Sequence, residues 1–178
     1  MNEKIFFCDI DNTVANINIA LESRGINTDI YPANVPTEVW EDLDIYKNAL
    51  PITPIIRMVK DLSKDYKIVF LTARPNELFD ITYFWLEKWG LPNHSILHTN
   101  GRDKGQFVKI FELTEKVIGF IEDSPQEIES IIAAKKDIVL YVPDWTYNKH
   151  IKVGKRIRVQ TGKLHFLSSS PLKQQLVI

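Results

Sequence analysis

The stretch Asp9-Ile10-Asp11-Asn12-Thr13 decides how this chain of 178 residues is read. It follows Lys4-Ile5-Phe6-Phe7-Cys8, a hydrophobic run with the pattern of a buried strand. Two carboxylates, one residue apart, therefore stand just past the C-terminal end of a strand. That edge of an open α/β sheet is where ligands bind. Carboxylates crowded there repel each other and are costly to bury unpaired. A hard cation, typically Mg²⁺, accounts for them. One carboxylate then has the chemistry to attack phosphorus and the other to handle protons.

Outward from this stretch, the chain alternates. Short apolar runs at Ile5–Cys8, Ile68–Leu71, Ser95–His98, Val117–Ile121 and Ile138–Val142 read as buried parallel strands. Helical patterns lie between most of them. Pro54–Leu62 has Ile55, Ile56, Met58, Val59 and Leu62 at helical spacing, with Thr53 as a candidate N-cap. Asn76–Trp89 carries Leu78, Ile81, Phe84, Trp85 and Trp89 on one side, and Gly90 fits its stop. Lys104–Leu113 is short and amphipathic. Pro125–Lys135 follows Ser124 as cap, with Glu127 in the capping-box position. Strands alternating with helices imply an α/β fold: a Rossmann-like three-layer sandwich around a five-stranded, mainly parallel sheet. The expected division is a core over residues 1–150 and a C-terminal extension over 151–178.

Two regions break the alternation. Val14–Leu50 is longer than an ordinary connection and contains Tyr31, Trp40 and Tyr46. Inserted beside the active edge, it reads either as a small cap over the site or as an ordinary structured insertion. The tail from Lys152 is basic at Lys152, Lys155, Arg156, Arg158 and Lys163. Arg156–Gln160 and Lys163–Leu167 alternate around Thr161-Gly162, which suggests a hairpin with a solvated face.

Composition bounds the function. The chain is 44% hydrophobic and 25% charged, ordinary for a globular protein. A net charge of −1 argues against nucleic-acid binding through bulk charge. Cys8 is the single cysteine, so no internal disulfide forms; a cytoplasmic location fits. No signal peptide is expected, because the N-terminus enters a strand pattern at once. No apolar run approaches the ~20 residues that span a bilayer, so no membrane partner is expected.

Four polar signatures follow strands or open helices. They are Asp9 to Thr13, Leu71-Thr72-Ala73-Arg74-Pro75, Gly101-Arg102-Asp103-Lys104 and Glu122-Asp123-Ser124. Each reaches the same sheet edge. Singly they have bland readings. The two aspartates suit a turn, Thr72 a helix cap, Lys104 a solvated surface, and Glu122 with Asp123 a helix N-terminus. Lys109 competes with Lys104, but it falls inside the expected helix, so Lys104 is preferred. Arg74 suits either a substrate phosphate or a surface ion pair. Cys8 reads as core. His94, His98, His150 and His165 have no metal-ligand spacing and read as structural.

Taken in order, Asp9-Ile10-Asp11-Asn12-Thr13, Thr72, Lys104 and Glu122-Asp123 resemble the four motifs of the haloacid dehalogenase superfamily, across roughly residues 4–142. The resemblance implies a phosphohydrolase with sheet order 5-4-1-2-3. It implies Asp9 as nucleophile and Asp11 as general acid, then base, whose backbone carbonyl also binds Mg²⁺. Thr72 and nearby backbone N–H groups would hold phosphoryl oxygens, and Lys104 would neutralise charge. Asp123 and Glu122 would complete the metal site. Asn12, Thr13, Ala73 and Arg74 are carried over as substrate-binding candidates. Asn12 stands where the family commonly has glycine.

Thr82-Tyr83-Phe84-Trp85-Leu86, Leu97-His98 and Glu122-Asp123-Ser124-Pro125 resemble two branches, the 5′-deoxyribonucleotidases and the 3′-phosphatase domain of polynucleotide kinases. The expected activity is Mg²⁺-dependent phosphomonoester hydrolysis on a nucleotide-type small substrate. Aromatic residues of Val14–Leu50 are candidates to stack a base, with Asn148 contributing nearby. A nucleic-acid end is the alternative substrate, and a non-catalytic phosphate- or partner-binding domain is the rival class. A pure binder has no use for a second carboxylate placed for proton transfer.

Overall fold

The computed structural model describes residues 3–91 and 95–159. The element order is β1 (Lys4–Cys8), β2 (Ala15–Asn16), α1 (Asn18–Glu22), α2 (Thr37–Glu41), α3 (Asp44–Lys47), β3 (Leu50–Pro51), α4 (Thr53–Leu62), β4 (Lys67–Thr72), α5 (Phe79–Lys88), β5 (Ser95–His98), α6 (Lys104–Phe111), β6 (Lys116–Ile121), α7 (Pro125–Ala134), β7 (Val139–Pro143) and β8 (Lys155–Ile157).

The strand sequences explain the three layers. In β1, Phe6 and Cys8 enter one apolar cluster, while Ile5 and Phe7 enter the other. In β4, Ile68 and Phe70 join the first cluster, and Val69 and Leu71 the second. Side chains alternate across a strand, so a continuous apolar run is buried on both faces. The first face is covered by α4 and α5 through Ile55, Ile56, Val59, Trp85 and Leu86. The second is covered by α6 and α7 through Val108, Ile128 and Ile131. Each fully buried aliphatic or phenyl side chain contributes roughly 1.5–3 kcal/mol of transfer free energy.

The sheet order is β5-β4-β1-β6-β7-β8, and every pairing in it is parallel. Its first five strands follow the expected order, with β1 central. The sixth strand corrects the expected number. Lys155–Ile157 adds to β7 in register Tyr141↔Lys155; the turn and second arm of the expected hairpin lie outside the described residues. Arg156 holds it there: its guanidinium donates to the carbonyls of Asn148 and Ile151 and to Asn148 Oδ1. Gln160, Lys163–Leu167, His94 and His165 lie outside the described residues.

Local boundaries also differ from expectation. Thr53 is the first residue of α4 rather than its cap; Ile52 takes the cap position without a side-chain bond. Asn76–Trp89 divides into a 3₁₀ turn over Asn76–Leu78 and then α5. Ser124 does cap α7, its Oγ accepting the Glu127 N–H at 3.3 Å. Glu127 does not return the bond; its carboxylate accepts the Lys104 N–H instead.

The long insertion leaves and rejoins the core through the β2–β3 ribbon, with Ala15 opposite Pro51 and Asn16 opposite Leu50. Ile17, Leu21, Ile45, Tyr46 and Ala49 belong to the same apolar cluster as Phe6 and Phe70. Trp85 Nε1 donates to the Ala49 carbonyl at 2.9 Å, fastening the end of the insertion to α5. Among the described residues, no helix is long and apolar enough to cross a membrane.

Candidate active site

The parallel sheet brings the C-terminal ends of β1, β4 and β6 to one edge. Asp9 continues from β1 and donates its N–H to the Ile121 carbonyl at 2.9 Å. Glu122 and Asp123 continue from β6. Lys104 opens α6, whose N-cap Asp103 accepts the Gln106 N–H. These elements converge on a buried cluster. Lys104 Nζ lies 2.5 Å from Asp9 Oδ1 and 2.6 Å from Glu122 Oε2. Lys104 is 2% exposed, whereas Lys109 is exposed, so Lys104 is the lysine the fold brings to the site.

Burial alone would discharge the Lys104 ammonium. The Asp9 and Glu122 carboxylates outweigh that effect and hold its pKa above the ordinary lysine range. One ammonium does not balance three carboxylates. Burial, reinforced by Asp9, pushes the Asp123 carboxyl up to about 7, and burial also raises Glu122. Oxygen atoms of Asp9, Glu122 and Asp123 all lie within 4.8 Å of one another. This excess of buried negative charge, presented by hard oxygen donors, fits a divalent cation.

Hydrogen bonds from inside and outside the strand-end signatures fix the cluster's geometry. Thr13 Oγ1 donates to Asp123 Oδ1 at 3.0 Å, and the Tyr147 hydroxyl donates to Asp123 Oδ2. Asn148 Nδ2 donates to the carbonyls of Asp123 and Pro143, each at 2.9 Å. Glu122 Oε1 accepts the N–H groups of Asp123 and Ser124. Asn148 therefore braces the strand-end loop from beneath. Tyr147 was not legible as a site residue; its one sequence signal is its place two residues after Trp145 in an aromatic turn beyond β7.

Asp11 is not one of the three clustered carboxylates; it pairs with Arg74. Arg74 Nε lies 3.1 and 3.0 Å from its two carboxylate oxygens, and Nη2 lies 2.6 Å from Oδ1. Asn12 sits at φ 56°, where its Oδ1 accepts the N–H groups of Ile17 and Asn18. It thereby closes the turn that starts α1. Its carbonyl accepts Trp145 Nε1 at 2.7 Å. Thr72 is buried, and its hydroxyl accepts the Arg74 N–H at 3.1 Å. Ala73 and Arg74 reach the cavity described next.

That cavity measures about 590 Å³, within the usual range for small-molecule sites. Asp9, Asp11, Asn12, Lys104, Glu122 and Asp123 form its floor. The insertion supplies its roof, including Leu21, Ile30, Tyr31, Trp40 and Tyr46. The Tyr31 ring lies 5.4 Å from that of Tyr147. Burial raises the hydroxyls of Tyr31 and Tyr46 to about 12, so both stay neutral donors at ordinary pH. A second hollow of about 620 Å³ lies at the opposite edge, around Glu3, Lys64 and Lys67. Its two lysines are held in surface ion pairs with Asp61 and Glu3.

No family model matches the sequence. The chain is 29% identical over 110 residues to a Bacillus cereus protein named "Putative nucleotidase", which covers 61% of this chain and 56% of that protein. It thus spans a little over half the length of the curated relatives it matches. Among solved structures, the class C acid phosphatase of Bacillus anthracis is similar at 19% identity and a TM-score of 0.51, over 77% of this chain and 63% of that one. A chain of the Pnkp1/Rnl/Hen1 RNA repair complex is similar at 19% identity and 0.52, over 79% and 43%. Other similar structures are named haloacid dehalogenase-like hydrolases. The resemblance drawn from the four motifs is borne out in the fold.

Proposed function

We propose that this chain hydrolyses phosphomonoesters through an aspartyl-phosphate on Asp9, with Mg²⁺ as cofactor and a small nucleotide-type substrate. The observation that carries this reading is the Lys104 bridge between Asp9 and Glu122 at the base of a cavity that the insertion also lines. A phosphate dianion repels a carboxylate nucleophile, so charge at the nucleophile must be offset first. Lys104 does this from the protein side. When bound by Asp9, Glu122, Asp123 and the Asp11 backbone carbonyl, the cation would supply further charge neutralisation.

The chain's own residues then divide the work. An Asp9 oxygen forms the bond to phosphorus while the leaving oxygen departs with its electron pair and takes a proton from Asp11. Water next attacks phosphorus, Asp11 accepts its proton, and the bond to Asp9 breaks. Ala73 and the backbone around it frame the phosphoryl oxygens. Thr72, which does not line the cavity, holds that loop through the Arg74 N–H, and Asn12 and Thr13 shape the opposite turn.

The roof favours a small substrate. Tyr31 and Trp40 stand over the floor, where an extended polynucleotide needs an open groove. A 3′-phosphorylated nucleic-acid end remains the second substrate to test, since the fold is shared with a component of an RNA repair complex. Turnover of para-nitrophenyl phosphate with and without Mg²⁺, followed by mononucleotides and 3′-phosphorylated oligonucleotides, tests both layers. Turnover of none of them, with Mg²⁺ present, would refute the phosphohydrolase reading.

A further inference from the structure

Arg74 was carried forward as a substrate-binding candidate, yet its guanidinium is already engaged on several sides. Its side chain is 1% exposed. Nε and Nη2 fork onto the Asp11 carboxylate. Nη1 donates to Thr82 Oγ1 on α5 at 2.9 Å. The Tyr46 ring of the insertion covers the guanidinium face, 4.9 Å from its centre. The backbone is fixed as well: the Arg74 N–H reaches Thr72 Oγ1, and the Arg74 carbonyl accepts His98 Nδ1–H at 2.7 Å. By contrast, the Asp11 side chain is 30% exposed and lines the cavity.

We propose that Arg74 is a positioning residue that aims Asp11 for proton transfer, with Tyr46 of the insertion holding the guanidinium in place, instead of a ligand for the substrate phosphate. The assignment rests on the phosphohydrolase reading above. A planar fork fixes both the direction and the rotation of a carboxylate, which a lysine's point charge does not. The anchor is asymmetric. Arg74 is set between β4, α5 and the roof; it borders the cavity, but the Asp11 side chain is the far more exposed of the pair. Tyr46 is itself tied to the insertion, its hydroxyl donating to the Trp40 carbonyl at 3.2 Å.

The test separates aiming from phosphate binding by leaving group. Para-nitrophenolate departs with little protonation, whereas an alkoxide, such as a nucleoside 5′-oxygen, needs it. Arg74→Met and Arg74→Lys should keep the rapid burst of nitrophenol within about tenfold of wild type, followed by slow turnover. On a nucleoside 5′-monophosphate the first step should fall on the order of 10²-fold or more, the usual scale of general acid–base assistance. KM should change little for either substrate.

If Arg74 binds the phosphate, both substrates lose equally and chiefly in KM, and the proposal is overturned. Full rescue by Arg74→Lys would overturn it too. Should the Arg74 variants fail to fold, Thr82→Val loosens the same fork with a near-isosteric change. It should show the same leaving-group split in smaller measure, and an equal loss on both substrates counts against the proposal. A wild-type protein that turns over neither substrate removes the phosphohydrolase reading and this assignment together. Activity with no split removes only the latter.

Discussion

The carboxylate of Glu127, on α7, accepts the backbone N–H of Lys104, on α6, at 2.7 Å. Lys104 is thus placed by a helix other than its own. The two helices meet at Gly105, where an added Cβ would lie 2.3 Å from the Ser130 carbonyl oxygen. Gly105→Ala must push α6 and α7 apart. Overpacking of this kind costs about 1–3 kcal/mol. We predict a lower urea midpoint together with reduced turnover, because the displaced turn carries Lys104. Unchanged stability and activity would show that the helices have room to spare.

Metal binding should register in stability as well as in turnover. A ligand at 100 times its dissociation constant stabilises the folded state by about 2.7 kcal/mol. For a domain of this size that raises Tm on the order of 5–10 °C. EDTA should lower the melting temperature and abolish turnover, and Mg²⁺ should restore both. Full turnover in metal-free buffer would contradict the assignment of Asp9, Glu122 and Asp123.

Asp9 and Asp11 should fail differently. Asp9→Asn removes the attacking oxygen and a metal ligand, so turnover falls to background. Asp11→Asn leaves the nucleophile but cannot pass a proton, which costs about 10²–10⁴-fold. Its aspartyl-phosphate should accumulate on para-nitrophenyl phosphate, detectable by rapid quench and peptide mass spectrometry. A phosphoryl group found on Asp11 would reverse the roles.

Lys104→Met leaves Asp9 and Glu122 buried without their partner. Breaking a buried ion pair from one side costs about 3–5 kcal/mol. In metal-free buffer we predict that loss by urea denaturation, with added Mg²⁺ recovering part of it. A variant as stable as wild type without metal would mean that Lys104 does not carry the charge balance.

Tyr147→Phe keeps the ring against Trp145 and Tyr31 but deletes the donor to Asp123. Loss of a group that orients a metal ligand typically weakens binding 10–100-fold. Isothermal titration with Mg²⁺ should show that drop while the melting temperature of the metal-free protein changes little. Equal affinity would assign Tyr147 to packing alone.

The floor of the site was legible because buried parallel strands write themselves as unbroken apolar runs, and polar residues at their ends are conspicuous. Asp9, Glu122 and Asp123 stood out this way, and Lys104 by its place at the start of the helix after β5. Tyr147 and Glu127 were not, since what they do depends on contacts across 24 and 23 positions of chain. Glu127 even carried a misleading signal: its spacing from Ser124 is that of a capping box, and the Lys104 N–H outcompeted the local partner. Lys155–Ile157 pairs with a strand that the sequence did not name as its partner. Alternation identifies a strand but not its neighbour, and β7 offered an open edge. The short helices of the insertion have too few turns to show a period.

The bond from Trp145 Nε1 to the Asn12 carbonyl gives the protein an optical property. That carbonyl belongs to the turn between Asp11 and Thr13, and the indole is 4% exposed. Indole emission follows the local electric field and hydrogen bonding at the ring nitrogen. Occupancy at Asp9 or reorientation of the turn will therefore change the colour or yield of Trp145. Trp40, at the roof of the cavity, answers to a different event, the arrival of a ligand from solvent. Replacing each tryptophan in turn would resolve floor and roof as two separate light signals in an unlabelled chain.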